Sequence, residues 1–269
     1  MQLLCSTGAF SRFPTYVDYS MVLQYGPQLD VDGFELMFYP SWYDSVERIG
    51  RDLTTSKLKF PAMHAEKSIG LSLGKASAEE REQGIRLFTE NCRLAEMLGT
   101  RVLVLHLWNW PDLDDHLDYN LQSLVTCLDI AGRFHVQLAI ETIPARKATP
   151  LDNVQRALEY DARCAIALDT EFLAQYQQLD EVFQRQSLWP HIVHVHIKDY
   201  DGVPFLDGNR RYLHPGEGHI DFPHFFHALK QQAFSGNISL ESPAIDANGQ
   251  VTVTRLRESL ALIHQWMRS

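Results

Sequence analysis

The stretch HIVHVHIKDYDG, residues 191–202, decides how the chain folds. Val193, Val195 and Ile197 alternate with His194, His196 and Lys198. A period of two is that of a β-strand, with one apolar face and one polar face. A surface strand turns its polar face to water. A strand of a closed parallel barrel turns it into a buried interior.

Working outward, seven more short apolar runs read as strands: QLLCST (2–7), GFELMF (33–38), FPAMHA (60–65), RVLVLHL (101–107), VQLAIET (136–142), CAIALDT (164–170) and NISLES (237–242). The strand at the centre of the opening stretch is IVHVHIK (192–198). Amphipathic helical stretches lie between them. The clearest is predicted over 78–98, opened by the capping pair Ser77 and Glu80 and stopped by Gly99. Asp221 reads as an N-cap with Pro223 in the first turn, and VTRLRESLALIHQWM (253–267) as a final amphipathic helix. Regular βα alternation predicts a parallel sheet. About eight units in 269 residues fit a single (β/α)8 TIM barrel, one domain over 1–269. No G-x-G-x-x-G follows the first strand, so the dinucleotide-binding alternative lacks its marker.

Composition narrows the partners. Hydrophobic residues make up 45% and charged residues 22%, which suits a globular protein with a full core. The formal net charge is -10 and the basic residues are scattered, with Arg210 and Arg211 the nearest thing to a cluster. That charge argues against a nucleic-acid partner and for a small molecule. No apolar run approaches the roughly 20 residues of a membrane span. The N-terminus lacks the features of a signal peptide. The four cysteines, Cys5, Cys92, Cys127 and Cys164, form no CxxC pair. Buried free thiols and a cytoplasmic location are therefore expected. A homo-oligomer is compatible with the sequence.

The strand ends carry the chemistry. His64, His106, Glu141, Asp169, His196 and Glu241 close strands three to eight, and Glu35 sits on strand two. Glu141 shares its face with the small Ala139, and Asp169 shares its face with Ala167 and Ala165; Leu138, Ile140, Ile166 and Leu168 point the other way. The polar set is thus expected to point inward at the C-terminal rim, where barrel active sites form. Converging carboxylates in a low-dielectric cavity repel one another, and a divalent cation relieves that repulsion. Carboxylates with an imidazole make a hard, oxygen-rich donor set. It suits manganese or magnesium first, with cobalt or zinc as alternatives. Trp108 and Trp110, just past strand four, offer aromatic platforms for a sugar ring, and Lys198 and Arg210 offer cations.

The segments DGFEL (32–36), AIET (139–142), ALDT (167–170), HIKD (196–199), HPGEGHIDF (214–222) and LESP (240–243) resemble, in order and spacing, the xylose-isomerase-like TIM-barrel superfamily. That superfamily includes sugar isomerases and epimerases, inosose dehydratases and apurinic-site endonucleases. The resemblance implies one metal ion held by Glu141, Asp169, His196 and Glu241, with Glu141 and Glu241 also as acid–base catalysts. It implies a substrate pocket that includes His64 and His106, beside which Glu35, Trp108, Lys198 and Arg210 complete the candidate substrate-binding set. The implied activity is sugar or keto-polyol isomerisation or epimerisation by proton transfer next to a carbonyl through an enediolate. Dehydration of a keto-polyol such as an inosose or 3-dehydroshikimate is the alternative. The endonuclease activity is disfavoured, because Arg210 and Tyr212 stand where that branch has further ligands. Phe172 stands where the sugar epimerases and endonucleases usually have a histidine.

Overall fold

The computed structural model describes residues 1–204 and 211–269. Its strands are β1 (Gln2–Ser6), β2 (Gly33–Met37), β3 (Ala62–His64), β4 (Val102–Leu105), β5 (Gln137–Glu141), β6 (Ala165–Asp169), β7 (Ile192–Ile197) and β8 (Asn237–Leu240). They pair in chain order and close into a parallel barrel, as the alternation predicts. The helices are α1 (Ser20–Tyr25), α2 (Val46–Thr55), α3 (Ile69–Leu73), α4 (Ala78–Leu98), α5 (Leu117–Arg133), α6 (Pro150–Tyr160), α7 (Thr170–Gln175), α8 (Glu181–Gln184), α9 (Phe222–Gln231) and α10 (Val253–Arg268). Among the described residues no helix is long and apolar enough to cross a membrane.

By internal packing the chain divides into two compact units. One is Met1–Glu35 with Leu168–Ser269. Here β1 pairs with β8, and β8 with β7, so that His196 faces Ser239 in register. Leu3, Ile238, Leu240, Val195 and Ile197 are buried on these strands, with Leu256, Leu260 and Ile263 of α10. The other unit is Leu36–Ala167. In it β4 pairs with both β3 and β5, and Glu141 faces Ala167 in register. Phe88 and Cys92 of α4, and Leu124 and Cys127 of α5, are buried there.

Local chemistry explains the elements. Ser77 Oγ accepts from Glu80 N at the start of α4, and Gly99 ends it in the left-handed region at φ 68°. A side chain there would be strained, which glycine avoids. Asp221 caps α9 by accepting from His224 N. All four cysteines are free and buried, and burial pushes the Cys127 and Cys164 thiols up to about 12.

Candidate metal and substrate site

In the first unit, the polar face of β7 meets a carboxylate. His194, His196 and Glu35 have no exposed surface. His196 Nε2 lies 2.9 and 3.1 Å from the two Glu35 oxygens. Ser239 Oγ donates to Glu35 Oε2 at 2.7 Å. Burial alone would raise the Glu35 pKa, but His196 and His194 hold it well below the usual carboxylate range. An ionised Glu35 accepts only, so His196 Nε2 carries a proton directed at it. Nδ1 is turned toward Glu241 Oε2 at 3.8 Å. An imidazole backed by a carboxylate on its far nitrogen is how metal-ligating histidines are oriented.

Asp169 closes β6 and caps α7, its Oδ1 accepting from Phe172 N at 3.1 Å. Its other oxygen lies 2.5 Å from Lys198 Nζ. Lys198, one residue past β7, also donates to Glu241 Oε2 at 2.6 Å. Glu171 stands 3.7 Å from the same ammonium, and the Phe172 ring centroid 4.9 Å. Lys198 and the three carboxylates are all buried.

In the second unit, Glu141 ends β5 between two histidines. His64 Nδ1 donates to the Ala65 carbonyl at 2.7 Å, and its Nε2 lies 3.0 Å from Glu141 Oε2. His106 Nε2 reaches the same oxygen at 2.7 Å. The two rings meet edge to face at 4.9 Å. Burial pushes the His106 pKa down to about 4, against the pull of Glu141. The three residues have the donor types and proximity of a metal-binding group, as do Glu35, His194 and His196.

The remaining sequence candidates fall in different places. Glu35 is enclosed and engaged with histidines rather than presented at a surface. Trp108 is fully buried, and its indole N–H donates to the Pro144 carbonyl at 2.9 Å. It therefore braces the loop after β4 against the loop after β5. Trp110 is the aromatic of that pair that is exposed. Arg210 lies outside the described residues. Arg211 pairs with Asp201. Glu217 fixes a turn, accepting from His214 N and pairing with Arg255.

Three residues escaped the sequence analysis. Glu171 sits in DTEF (169–172), two residues past Asp169, a spacing that could have marked it as sharing that neighbourhood. Asp199 ends HIKD; its carboxylate accepts from the N–H groups of Tyr200, Gly216, Gly218 and Ile220. This explains both glycines of PGEG. Gly216 has φ 90°, and a Cβ on Gly218 would stand 2.4 Å from Asp199 Oδ1. Ser239, which steadies Glu35, carries no signal beyond its place on β8.

A parallel barrel with carboxylates and imidazoles at its strand ends defines a class of proteins whose sites lie at the C-terminal face. The family model described as xylose isomerase-like TIM barrel matches residues 24–268, and the chain belongs to that family. The uncharacterized protein MJ1311 of Methanocaldococcus jannaschii is 26% identical over 189 residues, which is 64% of this chain. The match covers 62% of that relative's own length. D-allulose 3-epimerase from Methylomonas sp. has a similar structure, with TM-score 0.76 at 14% identity, covering 99% of this chain and 98% of that one. L-ribulose 3-epimerase gives TM-score 0.76 at 15% identity, over 99% and 94% of the two chains. The 3-keto-D-glucoside 4-epimerase of E. coli gives 0.71 at 18%, over 98% and 99%.

Proposed function

We propose that this protein, acting as one catalytic barrel over residues 1–269, is a divalent-metal-dependent sugar or keto-polyol isomerase or epimerase. The observation that carries the proposal is the orientation of His196. Glu35 holds its Nε2–H, and its Nδ1 is turned toward the Glu241 carboxylate. That is the posture of a metal ligand. Glu141 and Asp169 end the two preceding strands, and Glu241 lies one residue past β8. Parallel strands send their C-terminal ends to one face, which supports Glu141, Asp169, His196 and Glu241 as the four ligands. The donor set fits a hard dication, manganese or magnesium before zinc. When bound, such an ion supplies Lewis-acid polarisation of a substrate carbonyl and offsets the charge that develops beside it.

The chain's own residues move the proton. Glu141 and Glu241 are the acid–base pair, removing a proton from the carbon next to the carbonyl and returning one. His106, held neutral by burial, is suited to hydrogen-bond substrate oxygens, with His64 beside it. Lys198 is the described cation of the site, and the sequence offers Arg210 as a second. Glu35 and Trp108, both enclosed, support the site rather than touch substrate. The names of the similar structures, epimerases of ketoses and of a keto-glucoside, favour a carbohydrate-like substrate.

The test screens the manganese-loaded protein against ketoses, inososes and 3-dehydroshikimate in deuterated water. The expected result is turnover of a ketose or keto-glycoside with exchange or relocation of a carbon-bound proton. Net loss of water instead of epimerisation would move the assignment to a dehydratase. Glu141→Gln and Glu241→Gln, saturated with manganese, are each expected to remain at least about 10²-fold slower than wild type. Near-normal turnover of both, with no carbon-bound proton moved, would overturn the enolising chemistry.

A further inference from the structure

We propose that Lys198 is an internal cation that competes with the divalent ion for Asp169 and Glu241 and so sets the metal affinity of the site. This rests on the metal-dependent function proposed above and adds to it a residue that opposes the ion. Lys198 Nζ lies 2.5 Å from Asp169 Oδ2 and 2.6 Å from Glu241 Oε2. Both carboxylates belong to the proposed ligand set. Asp169 Oδ1 already accepts from the Phe172 amide as the cap of α7. Both Asp169 oxygens are therefore engaged, one by the backbone and one by the ammonium. A lone pair given to an ammonium is withdrawn from a metal. A positive charge fixed within a few ångströms repels a dication, and burial leaves that repulsion poorly screened.

The surroundings equip Lys198 to give way without leaving. Glu171, at 3.7 Å, is a further acidic partner outside the ligand set. The face of Phe172, at 4.9 Å, is a second support for the ammonium. An ion that takes Asp169 and Glu241 thus leaves Lys198 with Glu171 and Phe172, still in the site as a cation. This gives Phe172 a role that depends on its ring: an imidazole at that position would itself seek a metal or a proton, whereas a phenyl ring only receives the ammonium.

The alternative is a purely structural ion pair, and the two differ in sign. Removing one partner of a buried pair leaves uncompensated charge and destabilises the protein. If instead the ion binds without displacing the ammonium from Asp169 and Glu241, metal affinity is unchanged or weaker after its removal. A competitor predicts metal binding that tightens. The experiment is titration calorimetry of manganese into chelator-stripped wild type, Lys198→Met and Lys198→Gln, with melting curves of each protein with and without manganese. Expected are one site in wild type and at least about tenfold tighter binding in both variants. The variants should also show lower metal-free stability and a larger manganese-induced rise in Tm. A variant that folds only with manganese present supports the same conclusion, because the ion then replaces the ammonium. Unchanged or weaker binding in the variants, or a variant that stays unfolded with manganese, overturns the role of Lys198 and leaves the metal site standing. Wild type that binds no manganese removes the metal-dependent function and this inference together.

Discussion

Asp114 illustrates how single residues hold the loops that carry the site. It is buried, and it accepts from the N–H groups of Arg146, Lys147 and Ala148 and from Asn153 Nδ2. One carboxylate thereby anchors the connection between β5, which ends in Glu141, and α6. Burial alone would raise its pKa, but the backbone donors, led by Arg146 N–H, hold it below the usual carboxylate range. A depressed carboxylate contributes stability above its unfolded pKa and loses it as pH falls through the folded value. Asp114→Asn is therefore expected to destabilise the protein near neutral pH. The gap to wild type should narrow as pH falls below about 3.9, measured by urea unfolding at a series of pH values. A gap that stays constant to pH 3 would contradict the ionised-anchor role. Nothing in the sequence around LDD (113–115) marks this residue, because its donors lie more than 30 positions downstream. His196 is different: its strand, its inward face and its role as a candidate ligand are all legible in alternation. Which ring nitrogen is turned toward Glu241 is not, since that depends on Glu35, 161 residues away.

At the scale of elements, helix ends read more sharply than strand ends. The 78–98 helix is found at Ala78–Leu98 because both signals are local: a serine oxygen three residues from its donor and a glycine in the left-handed region. Ser77→Ala is expected to cost about 1 kcal/mol of stability, read from chemical denaturation, while Ser77→Asn is nearly neutral. Equal stability of Ser77→Ala and wild type would show the cap to be idle. Strand limits are set by pairing partners instead, and they shift accordingly. The run 60–65 yields β3 over Ala62–His64, and 101–107 yields β4 over Val102–Leu105, which leaves His106 just beyond the ladder. The short helix α7 starts directly after Asp169, so the residue that closes β6 also caps a helix. Periodicity cannot show a six-residue helix, which is too short to display a stripe.

For the whole molecule, a bound ion should stabilise the folded chain by mass action. At a free manganese concentration about 100-fold above Kd, the gain is about 2.7 kcal/mol. A protein of this size should respond with a rise of several degrees in Tm, reversed by chelator. Asp169→Asn should weaken manganese binding and shrink the rise at a fixed concentration. A rise that survives intact in that variant would place the ion elsewhere. The sequence by itself determined the barrel, because a parallel barrel imposes two short-range periods, an alternating strand and an amphipathic helix, about eight times over. It also marked Glu141, Asp169, His196 and Glu241, because strand-end position is a local property. Only the tertiary structure decided what surrounds them: Glu35 behind His196, Lys198 between Asp169 and Glu241, Trp108 buried against Pro144. Those relations join residues far apart in the chain through side-chain orientation and burial. A linear pattern of residue types carries no record of either.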